Sequence, residues 1–239
     1  MRALFALAFA ASGAAALIYE VTWTRLLTLQ LGHGVAAAST VLAAFMGGLA
    51  LGSAAGGRFG GKLHATQALR VYAGLELSIA VLALVLPFEL NALDPLLANA
   101  YADGAGGTTY IVLRFVASLL LLTVPAAAMG ATFPVASRWF VRHAGAAARD
   151  AGALYASNTL GAALGALLAG FILLPLLGLV GATWIAVALN VLAAAGAWFV
   201  SRQSSVISRQ PSVVGDQSSV VSGQSSALPT SAKGASRTR

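Results

Sequence analysis

Long apolar stretches dominate the chain. Six of them are long enough to cross a bilayer as helices, at roughly 3–30, 35–57, 68–90, 108–137, 150–176 and 180–200. A helix needs about 20 apolar residues to span the hydrocarbon core. No stretch alternates apolar and polar residues over about ten positions, which is the pattern of a membrane β-strand. The sequence therefore predicts an all-α membrane bundle of six transmembrane helices.

The composition fits this prediction and excludes most other classes. Of 239 residues, 59% are hydrophobic and 9% are charged, whereas a soluble domain carries about 25% charged residues. Cysteine is absent and the three histidines are scattered, so we expect no metal site. The net charge of +7 is concentrated in the last 39 residues, which hold five basic groups and one acid. We therefore expect the lipid bilayer as partner, and no nucleic acid.

Lysine and arginine mark one side of the membrane. They precede the first span, follow the last, and occupy the loops after the second and fourth spans: Arg2, Arg58, Lys62, Arg70, Arg138, Arg142, Arg149 and Arg202. The 91–107 loop has neither residue, and Arg25 is the exception near the other side. Cytoplasmic loops are enriched in Lys and Arg. We therefore expect a protein of the inner (plasma) membrane with both termini in the cytoplasm.

The composition changes at Ser201. Four seven-residue units begin at Gln203, Gln210, Gln217 and Gln224, and they are rich in Ser, Val and Gly. Such a segment has too little apolar surface to fold. The sequence thus predicts a transmembrane domain over 1–200 and a disordered repeat tail over 201–239.

Glycines recur every four residues in two spans, at Gly48, Gly52, Gly56 and Gly60 in the second and at Gly161 and Gly165 in the fifth. Small residues at this spacing let helix backbones approach closely in lipid. We expect tight packing within the bundle here, and the alternative is a dimer interface.

Among the polar residues inside the spans, four are candidates for a functional role, namely Glu20, Arg114, Glu76 and Asn158. At about 1.5 Å per residue, Glu20 and Arg114 lie at depths that agree within about 5 Å, and Glu76 and Asn158 both lie near about 12 Å. The depths predict a Glu20–Arg114 pair and a Glu76–Asn158 contact. One interpretation is satisfied packing pairs; the other is a cavity for a polar or cationic solute, since intramembrane charges face partners or cavities.

No arrangement typical of an active site occurs in the sequence. No strand precedes a glycine cluster, which excludes a Rossmann or P-loop turn, and there is no G-x-S-x-G elbow. We expect no catalytic, cofactor-binding or metal-binding residue on this chain.

Four stretches carry a resemblance to one family. They are residues 12–27 with Trp23-Thr24-Arg25, residues 41–52, residues 129–134, and residues 154–162 with Asn158-Thr159-Leu160-Gly161-Ala162. Together they resemble the membrane portion of bacterial fused proteins that join a major-facilitator-like bundle to a spermidine-synthase-like domain. The resemblance covers about residues 1–200.

The resemblance implies half of a major-facilitator-like bundle, with a soluble domain that transfers an aminopropyl group to putrescine. The repeat tail stands where that domain would begin, and no cofactor loop or diamine-binding residue has a counterpart here. We therefore expect a non-catalytic membrane module of a polyamine-related, spermidine synthase-like protein, with a separate synthase-like domain as partner. The alternative is a half-size transporter for a small polar or cationic solute, acting with a second copy of itself.

Overall fold

The computed structural model describes residues 1–31, 35–100 and 108–207, with side chains for all of these except 30, 31, 35–37, 93, 94, 96–100, 108–111, 114 and 205–207. The described secondary structure is entirely helical. Its main helices are α1 (Arg2–Leu31), α2 (Val35–Gly60), α3 (Ala65–Ala100), α4 (Thr108–Phe140), α5 (Ala147–Leu168) and α6 (Leu174–Ile207). A 3₁₀ turn, Ala144–Ala146, precedes α5, and a π turn, Ala169–Leu173, joins α5 to α6.

Five helical segments are long and apolar enough to cross a membrane: Arg2–Leu29, Ala38–Gly60, Ala65–Ala92, Phe115–Phe140 and Ala144–Ser204. The fifth has 61 residues. At about 1.5 Å per residue it is roughly three times as long as a hydrocarbon core of about 30 Å is thick. A single straight crossing therefore does not account for this segment.

The fifth segment bends back at Gly178, whose φ of 67° and ψ of −171° interrupt the helix. Residues other than glycine rarely adopt this backbone conformation. Just after the bend, Leu179 and Thr183 line the same cavity as Trp23, whereas Gly196 lies beside Ala8 near the start of α1. The main arm of α6 therefore runs antiparallel to α1, and the chain reverses direction at Gly178.

Two ends of the bundle can be named from these contacts. Arg2 and Asp150 pair where α1 and α5 begin, and the Nε of Arg70 donates to Ser201 Oγ where α3 begins and α6 ends. We call this the Arg2 end, and the opposite end the Trp23 end. The helices pack as α2 on α4, α1 on α5 and α6, and α3 on α4 and α6.

Two helices extend beyond the predicted spans. Helix α3 continues to Ala100, so residues 91–100 of the predicted loop are helical. Helix α6 continues to Ile207, which moves 201–207 from the predicted tail into the helix. Apolar windows measure how much of a helix lipid can cover, whereas helix ends depend on backbone hydrogen bonds, which continue into polar sequence. Residues 208–239 lie outside the described residues.

Candidate functional site

Glu76 is the most deeply buried of the charged side chains that the structure describes. Its carboxylate accepts two hydrogen bonds, from Ser12 Oγ to Oε1 at 2.6 Å and from Asn190 Nδ2 to Oε2 at 2.5 Å. Glu76 has no exposed surface, and both of its partners are also buried. Helices α1, α3 and α6 thus meet at one carboxyl group, and we call Ser12, Glu76 and Asn190 the Glu76 cluster.

Aromatic residues close the Glu76 cluster on both sides along the helix axes. Tyr72, one turn before Glu76 on α3, packs edge-on against Phe5 at 5.3 Å between ring centroids. Tyr19 stacks on Trp23 at 5.2 Å toward the other end. The hydroxyls of Tyr19 and Tyr72 and the Oδ1 atom of Asn190 are buried, with no hydrogen-bond partner among the described residues. The cluster therefore retains unused polar atoms in a closed environment.

The predicted contact between Glu76 and Asn158 does not form. Asn158 lies against the backbone of α1 at Gly13, where a Cβ added to the glycine would meet its side-chain Oδ1 at 2.8 Å. Glu76 instead bonds to Ser12, which is on another face of α1. Equal depth made the pairing plausible, but depth does not fix the direction around a helix, and α1 separates the two residues.

Glu20 lies half-buried on α1 and has no hydrogen bond or ion pair to a residue whose side chain the structure describes. Its predicted partner, Arg114, belongs to α4, but the Arg114 side chain lies outside the described residues. Helices α1 and α4 do touch, for example through Phe9 and Phe133 at 6.2 Å between ring centroids. The Glu20–Arg114 pair stays a prediction.

Glu20 and Asn158 share one side of α1. Glu20 is two helical turns beyond Gly13, and residues seven apart lie on nearly the same face, while Asn158 contacts Gly13 itself. Tyr155 is largely exposed and contacts the Phe133 ring of α4 edge-on at 5.9 Å. We call Glu20, Tyr155 and Asn158 the polar face; unlike the Glu76 cluster, it is only partly enclosed.

The predicted packing glycines all lie at helix contacts. A Cβ on Gly48, Gly52 or Gly56 would collide with the backbone of α4 near Thr123, Ala127 and Ala131, and one on Gly60 would reach Val135 at 3.4 Å. A Cβ on Gly161 or Gly165 would collide with the backbone of α1 at Ala10 and Ala14. The two glycine rows therefore set the close approach of α2 to α4 and of α5 to α1.

An ion pair that the sequence reasoning missed ties α1 to α5 at the Arg2 end. Arg2 Nη2 lies 2.9 Å from Asp150 Oδ1, and the Arg2 guanidinium stands 4.3 Å above the Phe140 ring. The basic residues at the span ends were used only to predict orientation. However, Arg2 and Asp150 both lie near span ends on the same side of the membrane, where they could pair. Asn190 was also missed, although a lone amide in the apolar run 180–200 is a readable signal. No group of three or more metal-ligating side chains occurs among the described residues.

Comparison with known proteins adds no relative. No protein-family model matches the chain, and no curated protein and no solved structure was found to match it.

Proposed function

We propose that this chain is a six-crossing membrane module that holds a small cationic, polyamine-related solute, as the membrane portion of a spermidine synthase-like system whose chemistry is carried elsewhere. The observation that carries the proposal is Glu20, an acidic side chain within the bundle with no partner among the described side chains. Intramembrane carboxylates usually face a partner charge or a water-filled cavity, so a partly enclosed one is a candidate site for a cation. The resemblance of residues 1–200 supplies the class of solute.

The reversal at Gly178 supports six crossings, because the arms on either side of it pack along α1 in opposite directions. Both termini of the bundle then lie at the Arg2 end. That end also carries most of the described basic residues, and Arg25 is near the other end. Under the positive-inside tendency the Arg2 end faces the cytoplasm. Reporter fusions at residues 100 and 205 should therefore report opposite sides of the membrane, and the same side for both would refute six crossings.

Solute binding can be measured on the purified full chain in detergent with radiolabelled spermidine. Glu20→Gln should abolish saturable binding, because it removes the charge and keeps the shape of the side chain. Glu89→Gln is the matched control, since it removes one negative charge from α3 and leaves Glu20 on α1 unchanged. Equal loss in both variants would point to nonspecific charge attraction, and no binding by the unaltered chain would refute the proposal.

A half-size transporter is the second candidate, and a specific observation favours it. Gly47 and Gly57 on α2, Gly152 on α5, and Gly170 in the π turn that follows α5 have open space where a Cβ would stand. These helices therefore present small-residue surfaces that nothing in the described part of the chain covers. A second copy seated on them would build a complete transporter from two halves. Spermidine uptake into vesicles by a dimeric preparation would favour this candidate, whereas binding by a monomer without uptake favours the module.

A further inference from the structure

Glu76 differs from the polar face in being fully buried, with no ion pair to a basic side chain among the described residues. On the three helices that meet there, the charged residues outside the cluster are Arg2, Glu20, Arg25, Arg70, Glu89, Asp94 and Arg202. The nearest basic one along α3 is Arg70, six residues earlier, and its Nε donates to Ser201 at the Arg2 end. On α4, which also packs against α3, Arg138 donates to the Leu63 carbonyl at the same end, and the Arg114 side chain lies outside the described residues.

Among the described side chains, the other titratable groups beside Glu76 are the phenols of Tyr19 and Tyr72, both fully buried. A phenol is neutral at ordinary pH and supplies no positive charge. An ionised carboxylate with no counter-charge is very costly in an apolar environment, and such a group takes up a proton instead. The surroundings of Glu76 therefore favour its neutral form on charge alone.

The hydrogen-bond geometry agrees with a neutral acid. The 2.5 Å separation between Glu76 Oε2 and the Asn190 amide is short for an N–H···O bond, which is typically about 2.7–3.2 Å, but lies within the usual range of an O–H···O bond. The two ends of an amide are interchangeable in such an assignment. With the amide turned, its oxygen accepts a hydrogen bond from a protonated Oε2, while Ser12 still donates to Oε1. Asn190 Oδ1 then accepts this bond, and the Nδ2 group takes the position at which Oδ1 had no partner.

We propose that Ser12, Glu76 and Asn190 form a proton-binding site at the junction of α1, α3 and α6, in which Glu76 is a neutral carboxylic acid that donates to the Asn190 amide oxygen. A metal ion does not fit the same place, since it would need several oxygen ligands around it and both carboxyl oxygens are already in contact with side chains at 2.5–2.6 Å. The inference rests on the contacts of Glu76, and it stands whether or not the polar face binds a polyamine.

The chain offers a direct test, because its only glutamates are Glu20, Glu76 and Glu89. In the double variant Glu20→Gln/Glu89→Gln, made by cell-free synthesis with ¹³C-carboxyl glutamate, Glu76 is the only labelled carboxyl group. Infrared spectroscopy of the full-length protein in detergent at neutral pH then reports its protonation. We expect the C=O stretch of a carboxylic acid, with a downshift in deuterated buffer, and no labelled carboxylate band.

A labelled carboxylate band at neutral pH would overturn the proposal, and one that depends on sodium would assign the site to a metal ion instead. Asn190→Leu in the same background supplies a second readout. It should move the acid C=O stretch to higher frequency, because the acid loses its acceptor, whereas a Glu76 that is protonated without this bond would leave the frequency unchanged. Glu76 itself is never altered, so the outcome does not depend on the folding of a Glu76 variant.

Discussion

Helices α2 and α4 contact each other through their backbones, whereas α1, α3 and α6 contact one another through side chains. The first contact is made through Gly48, Gly52 and Gly56 against the main chain of α4. At that contact the hydroxyls of Thr123 and Thr132 donate to carbonyls of their own helix. The second contact is made by the Glu76 cluster and large aromatic rings.

The comparison shows two solutions to one physical problem. Between helices in lipid there is no hydrophobic driving force, so association depends on van der Waals packing and on hydrogen bonds between helices. A glycine contact relies on the first and a buried polar cluster on the second. The glycine contact should therefore be sensitive to added volume, and the polar cluster to lost polarity at constant volume.

The largest expected effect is that of added volume at Gly52. Any Cβ there would overlap the Ala127 backbone, which cannot rotate away as a side chain would. Gly52→Leu should force α2 and α4 apart and lower the free energy of unfolding by about 3 kcal/mol, at the upper end for overpacking. Gly47→Leu is the matched control, since nothing lies within 4 Å of its Cβ position. Thermal unfolding in detergent, followed by tryptophan fluorescence, measures both.

Similar losses in the two variants would mean that leucine on α2 acts through something other than the α4 contact. Retained stability in Gly52→Leu would show that α2 does not press on α4 as closely as the structure has it.

A change of polarity at nearly constant volume is the next test. Asn190→Leu removes the amide that contacts Glu76 Oε2, and a buried polar atom left without a partner costs about 1–3 kcal/mol. Asn158→Leu should cost less, because Asn158 is only half-buried and its side chain makes no hydrogen bond to a described side chain. Denaturant unfolding of the purified variants would measure the difference. The interpretation fails if both changes cost the same.

The two contacts were not equally predictable from the sequence. The glycine rows could be predicted from the sequence, because close approach requires small residues that repeat on one helix face, which is a local property. The helix that each row contacts could not be predicted, because it depends on how whole helices pack. The same limit explains the error at Glu76. Depth arithmetic made Asn158 a partner of Glu76, but Asn190 lies at a similar depth, about 15 Å from the end of the predicted span 180–200 by the same rise per residue.

The course of the chain could also be predicted only in part from the sequence. The apolar runs on either side of Gly178 predicted two helices, and a glycine in a short uncharged turn is the expected place for a reversal. The ends of α3 and α6 were not readable, because helical hydrogen bonds continue beyond the apolar residues. The partner of Glu20 stays a prediction for a different reason, since the Arg114 side chain lies outside the described residues.

A smaller effect compares hydroxyls in the two contacts. Ser12→Ala removes a hydrogen bond between helices and should cost about 1 kcal/mol, the usual net value of one bond. Thr132→Val removes a bond from the hydroxyl to the Met129 carbonyl of the same helix. That carbonyl belongs to the helical backbone, so the cost should be near zero. Thermal stability in detergent distinguishes the two, and a larger loss at Thr132 would contradict the division between packing by volume and packing by polarity.

The smallest effect concerns α5, which combines both kinds of contact with α1. Gly161 and Gly165 bring the backbones together, and the Arg2–Asp150 pair joins them at the Arg2 end. Asp150→Asn should lower the melting temperature by less than Ser12→Ala does, because Arg2 is partly exposed and the attraction is weakened by solvent. The decrease should disappear in high salt, which screens the pair in the unaltered chain as well.

Arg149→Ala serves as control, since the Arg149 side chain is 82% exposed and stands 3.7 Å from Asp150. This variant should change the melting temperature little at any salt concentration. If Asp150→Asn were instead as damaging as Gly52→Leu and insensitive to salt, α5 would be held mainly by its charge rather than by its glycines.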